Sequence, residues 1–256
     1  SFPTRRSSDL VIDGCPAGLP LCEEDIQKFL DRRKPGQSRY TTARKEGDLV
    51  EILSGVFEGK TTGTPISLMV RNTDQRSRDY GNIAYSYRPG HADYTFDQKY
   101  GFRDYRGGGR SSGRETIGRV AAGAIASKIL EELGISICTY TRSIGPVEIA
   151  SFNKEEIHQN AFYMPDAQAA VKAGEYLEEC MKNQDSAGGV IECRITGTPA
   201  GLGEPVFDKL SALLAHALMS IGAVKAVEIG DGIAVTSSNG STDNDGFTVK
   251  DGEIIK

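Results

Sequence analysis

Within about thirty residues the chain sets a histidine, several arginines and a glycine-opened helix start: Arg88-Pro89-Gly90-His91-Ala92-Asp93, then Gly107 to Thr116, which reads GGGRSSGRET. These residue types point to anion chemistry. The planar guanidinium fork matches phosphate and carboxylate, and the free N–H groups of a helix N-terminus favour the same ligands. Basic charge is concentrated there. Residues 32 to 119 hold 13 of the 17 arginines, and 17 basic against 10 acidic side chains give that window +7 in a chain whose total is −5. A small acidic ligand in a pocket fits an acidic chain with a basic island better than a broad nucleic-acid surface does, because such a surface raises the pI of a whole domain.

His91 sits after a Pro-Gly turn, flanked by Arg88 and Asp93. An imidazole titrates near neutral pH and so can give or take a proton; the alternative is a structural, hydrogen-bonding histidine. His158, among Lys154, Glu155 and Glu156, reads as solvated, and His216, on a leucine-rich helix, as packing. The Gly107 to Ser112 turn lacks both the G-x-G-x-x-G order and the Gly-Lys-Ser/Thr of a P-loop. It delivers Arg110, Ser111 and Ser112 to a helix start, for which phosphate is the natural ligand and an ordinary serine cap the plain alternative. The basic loop from Arg32 to Lys45 carries a single aromatic, Tyr40, and so lacks the interleaving expected for base stacking.

Around these segments the chain alternates strands and helices, the pattern of an α/β chain. Helices are expected at Glu23 to Arg33, with Ile26, Phe29 and Leu30 on one face, at Ser112 to Leu133, opened by a Ser112-x-x-Glu115 capping box and stopped at Gly134, at Asp166 to Lys182, and at Asp208 to Ile221, which buries Leu210, Leu213, Leu214, Ala217 and Leu218. Strands are expected at Val50 to Phe57, Pro65 to Val70, Val190 to Thr196, Ala223 to Ile229 and Ile233 to Thr236. Ile12 to Leu19 and Ile195 to Leu202 agree at six of eight positions, each leaving a strand through a turn into a helix. This implies two related β-turn-α halves, unless Pro-Ala-Gly is merely a common turn. Residues 1 to 10 read as an extension or processing scar and 11 to 256 as the domain. Five scattered cysteines without Cys-x-x-Cys spacing read as reduced thiols of a cytoplasmic protein with no structural zinc, and apolar runs such as Ala121 to Ala126 fall far short of a membrane span.

Taken together, Asp13 to Pro20, Asp31 to Thr42, Asn72 to Arg76, Arg88 to Asp93, Gly107 to Thr116 and Ala200 to Val206 resemble the chorismate synthase family from about Val11 onward. The resemblance implies that family's fold, an α/β (α+β) sandwich assembled as a homotetramer, and anti-1,4-elimination of phosphate from 5-enolpyruvylshikimate 3-phosphate with reduced FMN. It implies no nucleic-acid or membrane partner; the competing class is a non-enzymatic anion or RNA binder using residues 32 to 119. It assigns Arg33, Arg39, Arg44, Arg88 and Arg114 to substrate anions and His91 to protonation of reduced flavin. Arg110, Ser111, Ser112, Gly222 and Ala223 become FMN contacts, and Arg33 and Arg39 candidate NADPH contacts. Residues 1 to 10 stand where the family has a Gly-Glu-Ser-His-Gly-like loop with a second histidine, and Lys256 precedes its Arg-His-Asp-Pro-Cys-like segment. The expectation is therefore of slow turnover or none by this chain.

Overall fold

Alternation along Ile66, Leu68 and Val70 buries every second side chain of one strand, and the first sheet is built around that strand. The computed structural model describes residues 7–34, 36, 40, 47–71, 84–105 and 109–255. β1 (Ser7–Ile12), β5 (Ile66–Arg71) and β2 (Val50–Ser54) form an antiparallel sheet in the order β1-β5-β2. Residues 7 to 10, expected to lie outside the fold, are therefore strand, with Ser7 opposite Arg71 and Leu10 opposite Leu68. Backbone pairing draws them in although their own sequence shows no period of two.

The strand expected over Val50 to Phe57 divides at Gly55 into β2 and β3 (Val56–Phe57), and β3 pairs with β4 (Lys60–Thr61). Gly55 has φ of +85°, and a Cβ there would lie 2.7 Å from the Ile66 Cα, so only glycine fits the bend.

Two helices pack on this sheet. α1 (Glu23–Arg33) buries Ile26 and Leu30, and α3 (Thr116–Glu132) buries Ile117, Ala121, Ala124 and Ile125; both stripes enter one core with Ile66, Leu68 and Val70. The pair is antiparallel and pinned at both ends. Lys128 Nζ lies 2.6 Å from Asp25 Oδ2 near the start of α1, and Arg33 in its last turn reaches the start of α3. α3 begins later than Ser112: single 3-10 turns at Gly109–Ser111 and Gly113–Glu115 precede it. Ser112 does cap, accepting from the Arg114 N–H at 3.3 Å, but Glu115 turns to Arg110 instead of closing the box. α2 (Asp93–Tyr100), which the sequence reading missed, is short and only weakly amphipathic.

A second antiparallel sheet runs β7-β6-β8: β6 (Ser136–Ile144), also unforeseen, between β7 (Val147–Glu148) and β8 (Gly189–Thr196). α4 (Ala167–Lys182) packs Ala169, Ala170 and Ala173 with Met164 beside Ile144 and Val147. Asp166 caps it, taking the N–H groups of Gln168, Ala169, Ala150 and Ser151 at 2.9–3.1 Å, and those donors hold its carboxyl down to about 2.

The chain divides after Thr198 into two compact units. The second holds α5 (Leu210–Met219), a 3-10 helix at Gly232–Ser237, and the hairpin of β9 (Thr248–Lys250) and β10 (Glu253–Ile255). Here the expectations miss most. α5 buries none of its residues, and His216, expected to pack, is exposed. Residues 223–229 form no strand, and 233–236 lie in the 3-10 helix. β-propensity becomes a strand only where a partner strand offers its ladder, and among the described residues none is paired to these.

Candidate functional site

Four of the residues singled out, Arg33 with Arg114 and Arg88 with His91, gather into two clusters, each around a buried aspartate. Asp48 leads into β2 with φ of +42° and a side chain 0% exposed. Gln27 of α1 fixes that stretch by donating to the Asp48 carbonyl at 3.2 Å and accepting from the Val50 N–H at 3.0 Å. Arg33 Nη1 lies 2.6 Å from Asp48 Oδ2, and Arg114 Nη2 3.4 Å from Asp48 Oδ1. Arg33 also donates from Nε to Thr116 Oγ1 at 3.1 Å and from Nη2 to the Gly113 carbonyl at 3.4 Å, so all three of its nitrogens meet protein partners. Two guanidiniums thus share one carboxylate. Burial, and then the repulsion of Arg33, lower the pKa of Arg114.

The adjoining turn is more open. Arg110 is 65% exposed and meets Glu115 at 3.2 Å, while Ser111 and Ser112 occupy the turn that leads into α3.

The second cluster surrounds Asp93 in the first turn of α2. Arg88 grips its carboxylate with Nε and Nη2, both at 2.8 Å, and adds its backbone N–H at 3.1 Å. Arg103 comes back after Gly101 and places Nη1 3.3 Å from Asp93 Oδ1. Its other nitrogens reach Asp97 and the carbonyls of Ala84 and Ser86, over the Tyr87 ring. His91 Nδ1 is 2.9 Å from Asp93 Oδ1. Arg88 Nη2 lies 3.2 Å from the same nitrogen, so Nδ1 is held between a guanidinium and a carboxylate and Nε2 is the nitrogen left for other partners. The Arg88 hydrogen bonds, aided by its N–H and by His91, overcome desolvation and hold the Asp93 carboxyl well below the usual carboxylate range.

Arg33 and Arg114 are thus brought together, Arg110, Ser111 and Ser112 lie in the turn beside Arg114, and Arg88 and His91 share Asp93. Arg39 and Arg44 lie outside the described residues. Gly222 and Ala223 belong to the second unit, in the turn after α5, where Ala223 has φ of +71°. His158 closes a 3-10 turn against the Tyr163 ring and is exposed, in line with its solvated reading. Sequence reasoning missed Asp48, Thr116 and Arg103. A hydrophilic residue two positions before a strand carries no signal that it will be buried.

The family model for chorismate synthase matches residues 6–254. The chain is 66% identical over 249 residues to the chorismate synthase of Agathobacter rectalis and 65% identical over 250 residues to that of Lachnoclostridium phytofermentans, in each case over 96% of this chain and 68% of the relative. A crystal structure of chorismate synthase superposes with a TM-score of 0.80 at 32% identity, covering 98% of this chain and 74% of the other. On these matches the chain belongs to the chorismate synthase family, lyases of aromatic amino-acid biosynthesis.

Proposed function

We propose that the Asp48 and Asp93 clusters serve the anti-1,4-elimination of phosphate and a C6 hydrogen from 5-enolpyruvylshikimate 3-phosphate, giving chorismate. The observation that carries this reading is the arginine pair, Arg33 and Arg114, gathered round one buried carboxylate at a helix start. The substrate brings a phosphate and two carboxylates, and the pair, with one positive charge in excess of Asp48, suits one of them. Arg39, Arg44 and Arg88 are the further arginines in this reading; with its fork committed to Asp93, Arg88 acts mainly by holding the turn that presents His91.

Reduced FMN supplies the electron chemistry of the reaction when bound. The donor set of the Arg110 to Ser112 turn suits its phosphate: an exposed guanidinium, two hydroxyls and the N-terminus of a 17-residue helix. The resemblance also names Gly222 and Ala223 as FMN contacts. His91, oriented through Nδ1, presents Nε2 for proton transfer to reduced flavin. NADPH is the reductant the resemblance suggests, with Arg33 and Arg39 as its contacts, and the assembly is a homotetramer in the cytoplasm. Among the described residues no helix is long and apolar enough to cross a membrane.

Calorimetric titration with 5-enolpyruvylshikimate 3-phosphate, FMN and a generic RNA tests the reading. Saturable binding of the first two is expected. RNA binding with a steep salt dependence and no FMN binding overturns it. An anaerobic assay with NADPH and oxidised FMN, without a reductase, reads the reductant directly.

A further inference from the structure

We propose that Asp48 is a positioning residue for the anion receptor: its buried carboxylate clamps Arg33, Arg33 in turn holds the Gly113–Thr116 turn, and that turn presents Arg114. The inference rests on the reading of Arg114 as a substrate contact.

Three observations converge on it. Asp48 brings a carboxylate with no solvent exposure to a place where two elements far apart in sequence meet, the end of α1 and the start of α3. Its backbone takes a left-handed φ of +42°, a conformation that persists in a non-glycine residue only where its surroundings enforce it. Its two oxygens are used unequally: Oδ2 is 2.6 Å from Arg33, whereas Oδ1, 3.4 Å from Arg114, accepts no hydrogen bond among the described residues. The short contact fixes Arg33, whose Nε and Nη2 then set Thr116 and Gly113 on either side of Arg114. The long contact brings Arg114 beside the same carboxylate without a hydrogen bond.

Charge and position make opposite predictions for Asp48→Asn. Removing an anion beside two guanidiniums strengthens their pull on another anion; removing a clamp lets Arg33 and the turn wander. Dissociation constants for 5-enolpyruvylshikimate 3-phosphate, measured by calorimetry at fixed ionic strength alongside thermal stability, separate the two. Asp48→Asn is expected to bind about tenfold more weakly despite its extra positive charge, with Asp48→Glu recovering part of the loss. A folded Asp48→Asn chain that binds as tightly or more tightly than the unsubstituted one overturns the proposal. If that variant does not fold, Thr116→Ala decides: it removes one strut of the same clamp, a loss of about threefold supports the role, and unchanged affinity overturns it. Should Arg114→Ala bind normally, or the unsubstituted chain not bind at all, it is the functional reading that fails, and the proposal with it.

Discussion

Asp48 and Asp93 each sit buried between two arginines, yet the two clusters are built to different degrees of completion. Asp93 is the fuller: its carboxylate accepts three hydrogen bonds from Arg88, two from the guanidinium and one from the backbone N–H, with Arg103 Nη1 and His91 Nδ1 as ion-pair neighbours at 3.3 and 2.9 Å. Asp48 has one short partner and one long one. The same residue types therefore serve two ends. A filled carboxylate fixes geometry, here that of a histidine, while a partly filled one keeps an oxygen that accepts no hydrogen bond among the described residues. Burial alone does not tell them apart; the count of donors does.

The largest effect expected is on rate. His91→Ala should lower turnover roughly 10²- to 10⁴-fold, the usual weight of a general acid, with substrate affinity nearly intact. Measuring turnover and thermal stability on one preparation checks this, since a stability loss with the rate kept would make His91 structural. Next comes Asp93→Asn. Stranding Arg88 and Arg103 around a neutral side chain should cost about 3–5 kcal/mol in urea unfolding. Because the Asp93 carboxyl titrates below its ordinary value in the fold, its stabilisation is present above about pH 4 and fades as pH falls toward the folded value. The gap between the two chains should accordingly be widest at neutral pH and close in acid.

Arg114→Ala should weaken substrate binding by about 1.5–3 kcal/mol, the range for a charge-assisted hydrogen bond. Arg88→Ala should instead show itself mainly in stability. Equal losses of affinity from the two arginines, with both variants folded, would erase the distinction between open and closed clusters. The smallest effect belongs to Ser112→Ala, which removes the cap on the Arg114 N–H and should cost about 1 kcal/mol of stability; a larger loss in FMN affinity than in stability would show the hydroxyl acting as a ligand contact.

Much of this was legible in the chain. α1 and α4 match their expected bounds almost to the residue, and each lays an apolar face on a core. The arginines and His91 stand out by type. The internal repeat is legible too, and its backbone agrees: Gly14 and Gly197 have φ of +77° and +80°, Gly18 and Gly201 +87° and +90°. Burial is not repeated. Leu19 is 8% exposed, its turn tied to Thr61 by backbone and side-chain hydrogen bonds, whereas Leu202 is 47% exposed. Glycine and proline write a turn locally, but what covers it is decided by distant residues, and that is why the turns were readable while the burial of α5 was not. Asp48 failed to stand out for a related reason: its significance lies in Arg33 and Arg114, brought to it from 15 and 66 positions away.

The three contacts of Arg33 also bear on motion. The last turn of α1 and the first of α3 are tied through one guanidinium, so neither can fray without releasing the other. Their amide hydrogens should then exchange as a single cooperative unit. An anion resting on Arg114 must slow exchange at the end of α1, which it does not touch, by the full extent to which it favours the closed junction.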